Sequence, residues 1–251
     1  MRWETKISAV CHVDLPAFVK GVRFRFFGPD SKLGWYHRLA HRMAQLGLSL
    51  EVLNTQLPSD RLHSRPALQR ICEIPKMSTY AIGAVIDKAV SLMPPGTAFV
   101  NVGAWHGFTF FAGITGNPDK KCICVDNFSQ FGAPRGAFLS RFHQLRSRNH
   151  YFHEMGYLDY FTKVHEGRIG FYIYDGEHSY SDQLRGLEAA EPFFAEGCVV
   201  MVDDTNTEEA RKATLDFLGH RATNYTLTCD QRTHSNRHPT FWNGIMLISR
   251  R

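Results

Sequence analysis

From Met77 onward, short apolar runs alternate with amphipathic stretches. Residues 98–102, 122–125, 169–174 and 198–202 are almost continuously apolar, as strands covered on both faces must be. Residues 151–155 read as a further strand. Helical spacing fills the intervals at 108–115, 137–148 and 182–194. Ser78 or Thr79 caps a helix carrying Ile82, Val85, Ile86, Ala89 and Val90, which Pro94-Pro95-Gly96 stops. Thr205 and Glu208 form a capping box for a helix running to about Leu218. Residues 225–229 and 242–249 read as two closing strands. Strand and helix alternating over 77–251 predict a doubly wound α/β sheet.

Residues 1–76 lack that rhythm and read as a mainly helical or irregular extension, either a substrate cap or an oligomerisation segment. Lys20, Arg23, Phe24, Arg25, Phe26 and Phe27 lead into a Gly28-Pro29-Asp30 turn. A helix follows over 33–46, with Trp35, Leu39, Met43 and Leu46 on one face and Gly47 as its C-cap. Trp35 at this spacing reads as core. Residues 61–75 read as a linker or surface strap.

Composition narrows the class. The 251 residues are 43% hydrophobic and 21% charged, which excludes disordered, collagen-like and disulfide-scaffold chains. No apolar run reaches the roughly 18–20 residues that span a bilayer. Glu4, His12 and Asp14 break up any signal peptide, so the expectation is a cytoplasmic protein without a membrane partner. A net charge of +5 is a mild basic excess. The six cysteines include no CxxC pair, and Cys122, Cys124 and Cys198 lie in apolar runs as small hydrophobes.

In doubly wound sheets, ligands sit outside the carboxyl ends of the strands, and here those ends are polar. The first is followed by Asn101-Val102-Gly103-Ala104-Trp105-His106-Gly107 and then a helix. Its glycines either admit a ligand to the helix N-terminus or simply shape the turn. Trp105 stands where dinucleotide binders place a glycine against the pyrophosphate. The second strand ends at Asp126-Asn127-Phe128. Asp126 can accept both ribose hydroxyls, with Phe128 flanking an adenine, or it can cap its own turn. The fourth strand ends at Asp175-Gly176-Glu177-His178 and the fifth at Asp203-Asp204. Three carboxylates on neighbouring strand ends repel one another unless a hard divalent cation joins them; the alternative is that Asp203 and Asp204 serve as caps.

Together these strand ends resemble the class I S-adenosylmethionine-dependent methyltransferases, most closely the metal-dependent branch that methylates small-molecule and sugar hydroxyls. The resemblance covers 77–251. It implies a Rossmann-like seven-stranded sheet whose last two strands form an antiparallel pair. It also implies that Asn101, Gly103, Ala104, Trp105 and Gly107 lie at the methionine end of the cofactor. Asp126, with Asn127 and Phe128, would then lie at the adenosine end. Asp175, Asp203 and Asp204 occupy the family's magnesium positions. His178 stands where catechol-type members carry a lysine base, so it reads either as the base or as a loop brace, beside Asp175. Asn101 departs from the acid usual at its position.

The expected partner is a small-molecule acceptor, with homo-oligomerisation open. A binding module that holds the adenosyl cofactor without transfer is the alternative function. An RNA methyltransferase, suggested by Arg135, Arg141, Arg146 and Arg148, ranks below it because these arginines fit a solvated helix face. Substrate choice is expected from residues 1–76 and from the loops 131–135 and 231–239.

Overall fold

The computed structural model describes residues 14–130, 132 and 134–251. Before the main sheet come α1 (Leu15–Gly21), β1 (Arg23–Phe24), α2 (Tyr36–Gln45), α3 (Leu50–Asn54), β2 (Thr55–Gln56) and α4 (Arg65–Ile71). The next elements are α5 (Tyr80–Leu92), β3 (Thr97–Val102), α6 (Phe108–Thr115), β4 (Lys121–Val125), α7 (Arg135–Leu145), β5 (His150–His153) and α8 (Tyr157–Lys163). The last are β6 (Arg168–Tyr174), α9 (Tyr180–Ala190), β7 (Phe194–Val202), α10 (Glu208–Gly219), β8 (Tyr225–Gln231) and β9 (Ile245–Arg250).

The seven-stranded sheet runs β5-β4-β3-β6-β7-β9-β8. Its first five strands are parallel, while β9 lies antiparallel to both β7 and β8. The strand pattern predicts such a doubly wound sheet, and the antiparallel last pair is what the family resemblance implies. Order reverses between β3 and β6, so a crevice opens beyond Val102 and Tyr174. Alternate strand residues feed two cores. Phe99, Phe171 and Met201 pack on one face with α5 and α6, and Val100, Tyr172 and Val200 on the other with α9 and α10.

The N-terminal elements join the first of these cores through Leu15, Phe18, Val22, Leu68 and Ile71. Burying α5 also buries Asp87 and Lys88, which need partners because an isolated buried charge is costly. Arg61 meets Asp87 through two hydrogen bonds of 2.6 and 2.9 Å, Ser64 Oγ donates to the same carboxylate at 2.7 Å, and Lys88 pairs with Asp60. These bonds tie the segment before α4 to the sheet domain.

Several local expectations are corrected. Within 61–75, residues Arg65–Ile71 form a helix with Leu68 and Ile71 buried; Pro66 suits its first turn. Thr79 does cap α5, accepting from Ile82 N at 3.3 Å. Thr205, however, is wholly buried, and Thr207 occupies the N-cap of α10. The second closing strand begins at Ile245, because Trp242 turns at φ +52° and Gly244 at φ +86°. Trp35 is 53% exposed rather than core. Among the described residues, no helix is long and apolar enough to cross a membrane.

Candidate active site

A cavity of about 500 Å³ opens at the strand ends. Its floor is made where β3 and β6 nearly touch. Asp175 N donates to Val102 O at 2.8 Å, and Gly103 N to Val125 O at 2.9 Å. Gly103 has φ +84°, and a Cβ there would lie 1.9 Å from the Asp175 carbonyl oxygen. Only glycine fits this crossing. Gly107, at φ +97°, faces Phe111 and does not line the cavity. Its left-handed backbone opens α6.

Asp126 links the turns that follow β3 and β4. One carboxylate oxygen accepts from Ala104 N at 2.6 Å and Trp105 N at 3.0 Å; the other accepts from Phe128 N at 2.7 Å. The capping role weighed for Asp126 is therefore present. A carboxylate offers about four lone-pair sites, so one remains for a ligand hydroxyl. Trp105 (φ +47°) and Phe128 (φ +51°) are held in left-handed conformations beside the cavity, where non-glycine residues are strained. Phe128 packs on Phe138 and Phe152, with Asn127 beside it on the cavity wall. Asn101 is wholly buried beneath the turn and donates to the Gly103 carbonyl, so it supports the turn without lining the cavity.

At the far end, His178 Nε2 lies 3.4 Å from Asp204 Oδ2 and 3.9 Å from both Asp175 Oδ1 and Asp203 Oδ1. Its Nδ1 is 3.2 Å from Gln183 Oε1. Gln183 is buried on the first turn of α9 and holds the ring at Nδ1, with Nε2 turned to the carboxylates. Burial, reinforced by Asp203 and Asp204, pushes the Asp175 carboxyl well above the usual carboxylate range. Burial also pushes Asp203 up to about 6, with His178 pulling down and Asp204 pushing up. Asp203 Oδ1 is buried without a hydrogen-bond partner.

Ligand atoms of Asp175, His178 and Asp203 all lie within 4.8 Å of one another. This is a different trio from Asp175, Asp203 and Asp204. Asp204, at φ +52°, instead accepts from Asn243 Nδ2 at 2.6 Å.

Asn236, Arg237, Trp242 and Asn243, with Lys76, Met77 and Ser78, also line the cavity. The 231–239 loop thus reaches the cavity. Of residues 14–76, Lys76 alone lines it; others act at one remove, Pro29 O and Ser31 O bonding to His234 N (2.8 Å) and His238 Nε2 (3.1 Å). Phe131 lies outside the described residues; Gln130 beside it lines the cavity. Gln183, Asn243 and Trp242 were not legible as site residues. Gln183 reads as a helix position, and the other two return to the site from far along the chain.

Residues 100–205 match a family model described as a methyltransferase domain. No curated protein matches the chain in sequence. Among solved structures, the chain is similar to an O-methyltransferase from Bacillus cereus in complex with S-adenosylhomocysteine. Identity is 9%, the TM-score 0.57, and the match covers 85% of this chain and 97% of that one. It is also similar to the O-methyltransferase TomG from Streptomyces achromogenes, involved in tomaymycin synthesis, in complex with S-adenosylmethionine. There identity is 13%, the TM-score 0.53, and coverage 85% and 96%. At these identities the structural likeness speaks for the fold.

Proposed function

We propose that this chain, a class I S-adenosylmethionine-dependent methyltransferase by its matched domain and its fold, moves the sulfonium methyl group onto a hydroxyl oxygen of a small-molecule acceptor. The observation that carries the reading is His178 Nε2 set among three carboxylates at the strand ends, in the same cavity as the glycine turn. The methionine end of the cofactor lies against the turn from Gly103 to Trp105, and a ribose hydroxyl takes the open lone pair of Asp126. Phe128 and Asn127 flank the adenosine.

The sulfonium is already a strong electrophile, so the protein must align the acceptor oxygen and remove its proton. Gln183 holds the His178 ring with Nδ1 protonated, and Nε2 takes the hydroxyl proton. The oxygen–methyl bond forms as the sulfur–methyl bond breaks, leaving S-adenosylhomocysteine. The donor set fits a divalent cation such as magnesium. The unpartnered Asp203 oxygen and the mutual repulsion of Asp175 and Asp203 are what a cation would relieve. Asp175 and Asp203 would hold it, with Asp204 as third ligand, which leaves His178 Nε2 to the proton. A cation there would supply Lewis-acid polarisation of the acceptor hydroxyl.

Transfer of a labelled methyl group to a panel of catechols and sugars tests the reading. We expect label on at least one hydroxyl, reduced by Asp203→Asn. Tight cofactor binding with no label on any acceptor would leave a non-catalytic binding module.

A further inference from the structure

Outside the cavity, the least satisfied surface is the N-terminal arm. α2 buries none of its residues. Around it, Phe26 is 59%, Trp35 53% and Leu46 74% exposed, and Leu48 is exposed as well. Trp35, Arg38, Arg42 and Leu46 follow one another at intervals of three, four and four residues, which places them on a single stripe of the helix and its two caps. The half-buried residues Tyr36, Leu39, Ala40 and Met43 occupy the adjoining inner side. The stripe is therefore turned to solvent, with an aromatic ring at one end, an aliphatic side chain at the other and two arginines between. Trp35 rests on Phe27 at 4.7 Å, and Phe26 N bonds to Asn54 Oδ1 at 2.9 Å. These contacts fix the stripe to the rest of the arm.

Charge identifies what would cover this surface. Residues 15–48 hold Lys20, Arg23, Arg25, Lys32, Arg38 and Arg42 against Asp30 alone, a net of +5 that equals the net charge of the whole chain. All six are exposed, and none forms an ion pair among the described residues. A second copy presenting the same face would bring like charges together. An exposed tryptophan and leucines with arginines between them instead suit a membrane-surface contact, in which the apolar side chains enter the acyl boundary while the cations meet headgroups. Aliphatic groups of this kind contribute little to RNA, which is read by charge and aromatic stacking.

We propose that the Trp35–Leu46 face docks the protein on an anionic lipid bilayer surface, as a peripheral contact and not a span. The Pro29 and Ser31 carbonyls join the arm to the 231–239 loop, whose Asn236 and Arg237 line the cavity.

Flotation of the full chain with phosphatidylcholine vesicles, with and without phosphatidylglycerol, tests this. The account expects flotation with the anionic vesicles only, weakened by salt. It expects roughly tenfold weaker binding in an Arg38→Glu/Arg42→Glu variant and a comparable loss in Trp35→Ser/Leu46→Ser. Both variants should bind S-adenosylhomocysteine as the parent does, which separates docking from misfolding. No flotation, equal flotation with neutral vesicles, or variants that float like the parent would overturn the proposal. So would a dimer, or RNA binding, that the same variants abolish while vesicles are ignored.

Discussion

His178 Nε2 lies 3.4 Å from Asp204 Oδ2, and the same Asp204 is held from behind by Asn243 Nδ2 at 2.6 Å. The histidine is gripped at its other nitrogen by Gln183. The proposed mechanism has Nε2 receive the acceptor's proton. His178→Gln should therefore lower kcat by roughly 10²–10⁴ and leave S-adenosylhomocysteine affinity within a few-fold of the parent. Single-turnover kinetics and calorimetry check the two halves. Parent-like kcat would reassign His178 as a loop brace.

Asp203 is a buried carboxyl raised to about 6. A raised folded-state pKa means that the charged form costs stability at neutral pH, and that this cost is relieved as pH falls through about 6. Asp203→Asn should accordingly melt at the same or a higher temperature than the parent at pH 7. Magnesium should raise the melting temperature of the parent, while the variant should respond much less. A parent melting curve indifferent to magnesium would count against a cation at this site.

Much of this frame is written in the local pattern. α6 spans Phe108–Thr115 as its apolar spacing indicates, and the apolar runs became β3, β4, β6 and β7 because each is covered on both faces. What was not legible depends on distant partners. Residues Arg65–Ile71 look polar and strap-like, yet Leu68 and Ile71 find a core through α5 and α6. Trp35 has core spacing, yet it lies over Phe27 with half its surface in solvent. Gln183 and Asn243 acquire their roles through contacts with His178 and Asp204 that no sequence interval encodes.

Gly103 tests how tightly the two strand ends are joined. Gly103→Ala would place a methyl group 1.9 Å from the Asp175 carbonyl oxygen at φ +84°. The β3–β6 crossing must open, so cofactor binding should be lost or fall by at least an order of magnitude. Calorimetry reads the loss, and circular dichroism shows whether the sheet persists.

Arg61 and Asp87 form a largely buried pair across 26 positions of sequence. Removing one partner strands the other charge, which costs roughly 3–5 kcal/mol. Arg61→Ala should show that loss in urea unfolding. A change below about 1 kcal/mol would mean that the arm is not anchored by this pair.

His165 supplies an acid-side signature. It is buried against Tyr160, Phe161 and Phe193, and burial lowers its pKa to about 4. The unfolded chain takes up this proton near pH 6.5 and the folded one only near 4, so its contribution is complete above 6.5 and is lost as pH falls through that window. His165→Phe should flatten the decline in melting temperature between those limits. An unchanged slope would assign it to other groups.

The central claim is that the strand-end cavity holds the adenosyl cofactor, and its most direct measurement is calorimetric titration of S-adenosylhomocysteine into the purified chain, with NAD as control. The account predicts saturable one-to-one binding of S-adenosylhomocysteine, none of NAD, and marked weakening in Asp126→Ala, which loses both the open lone pair and the bonds to Ala104, Trp105 and Phe128. No heat from S-adenosylhomocysteine, with or without magnesium, would contradict it.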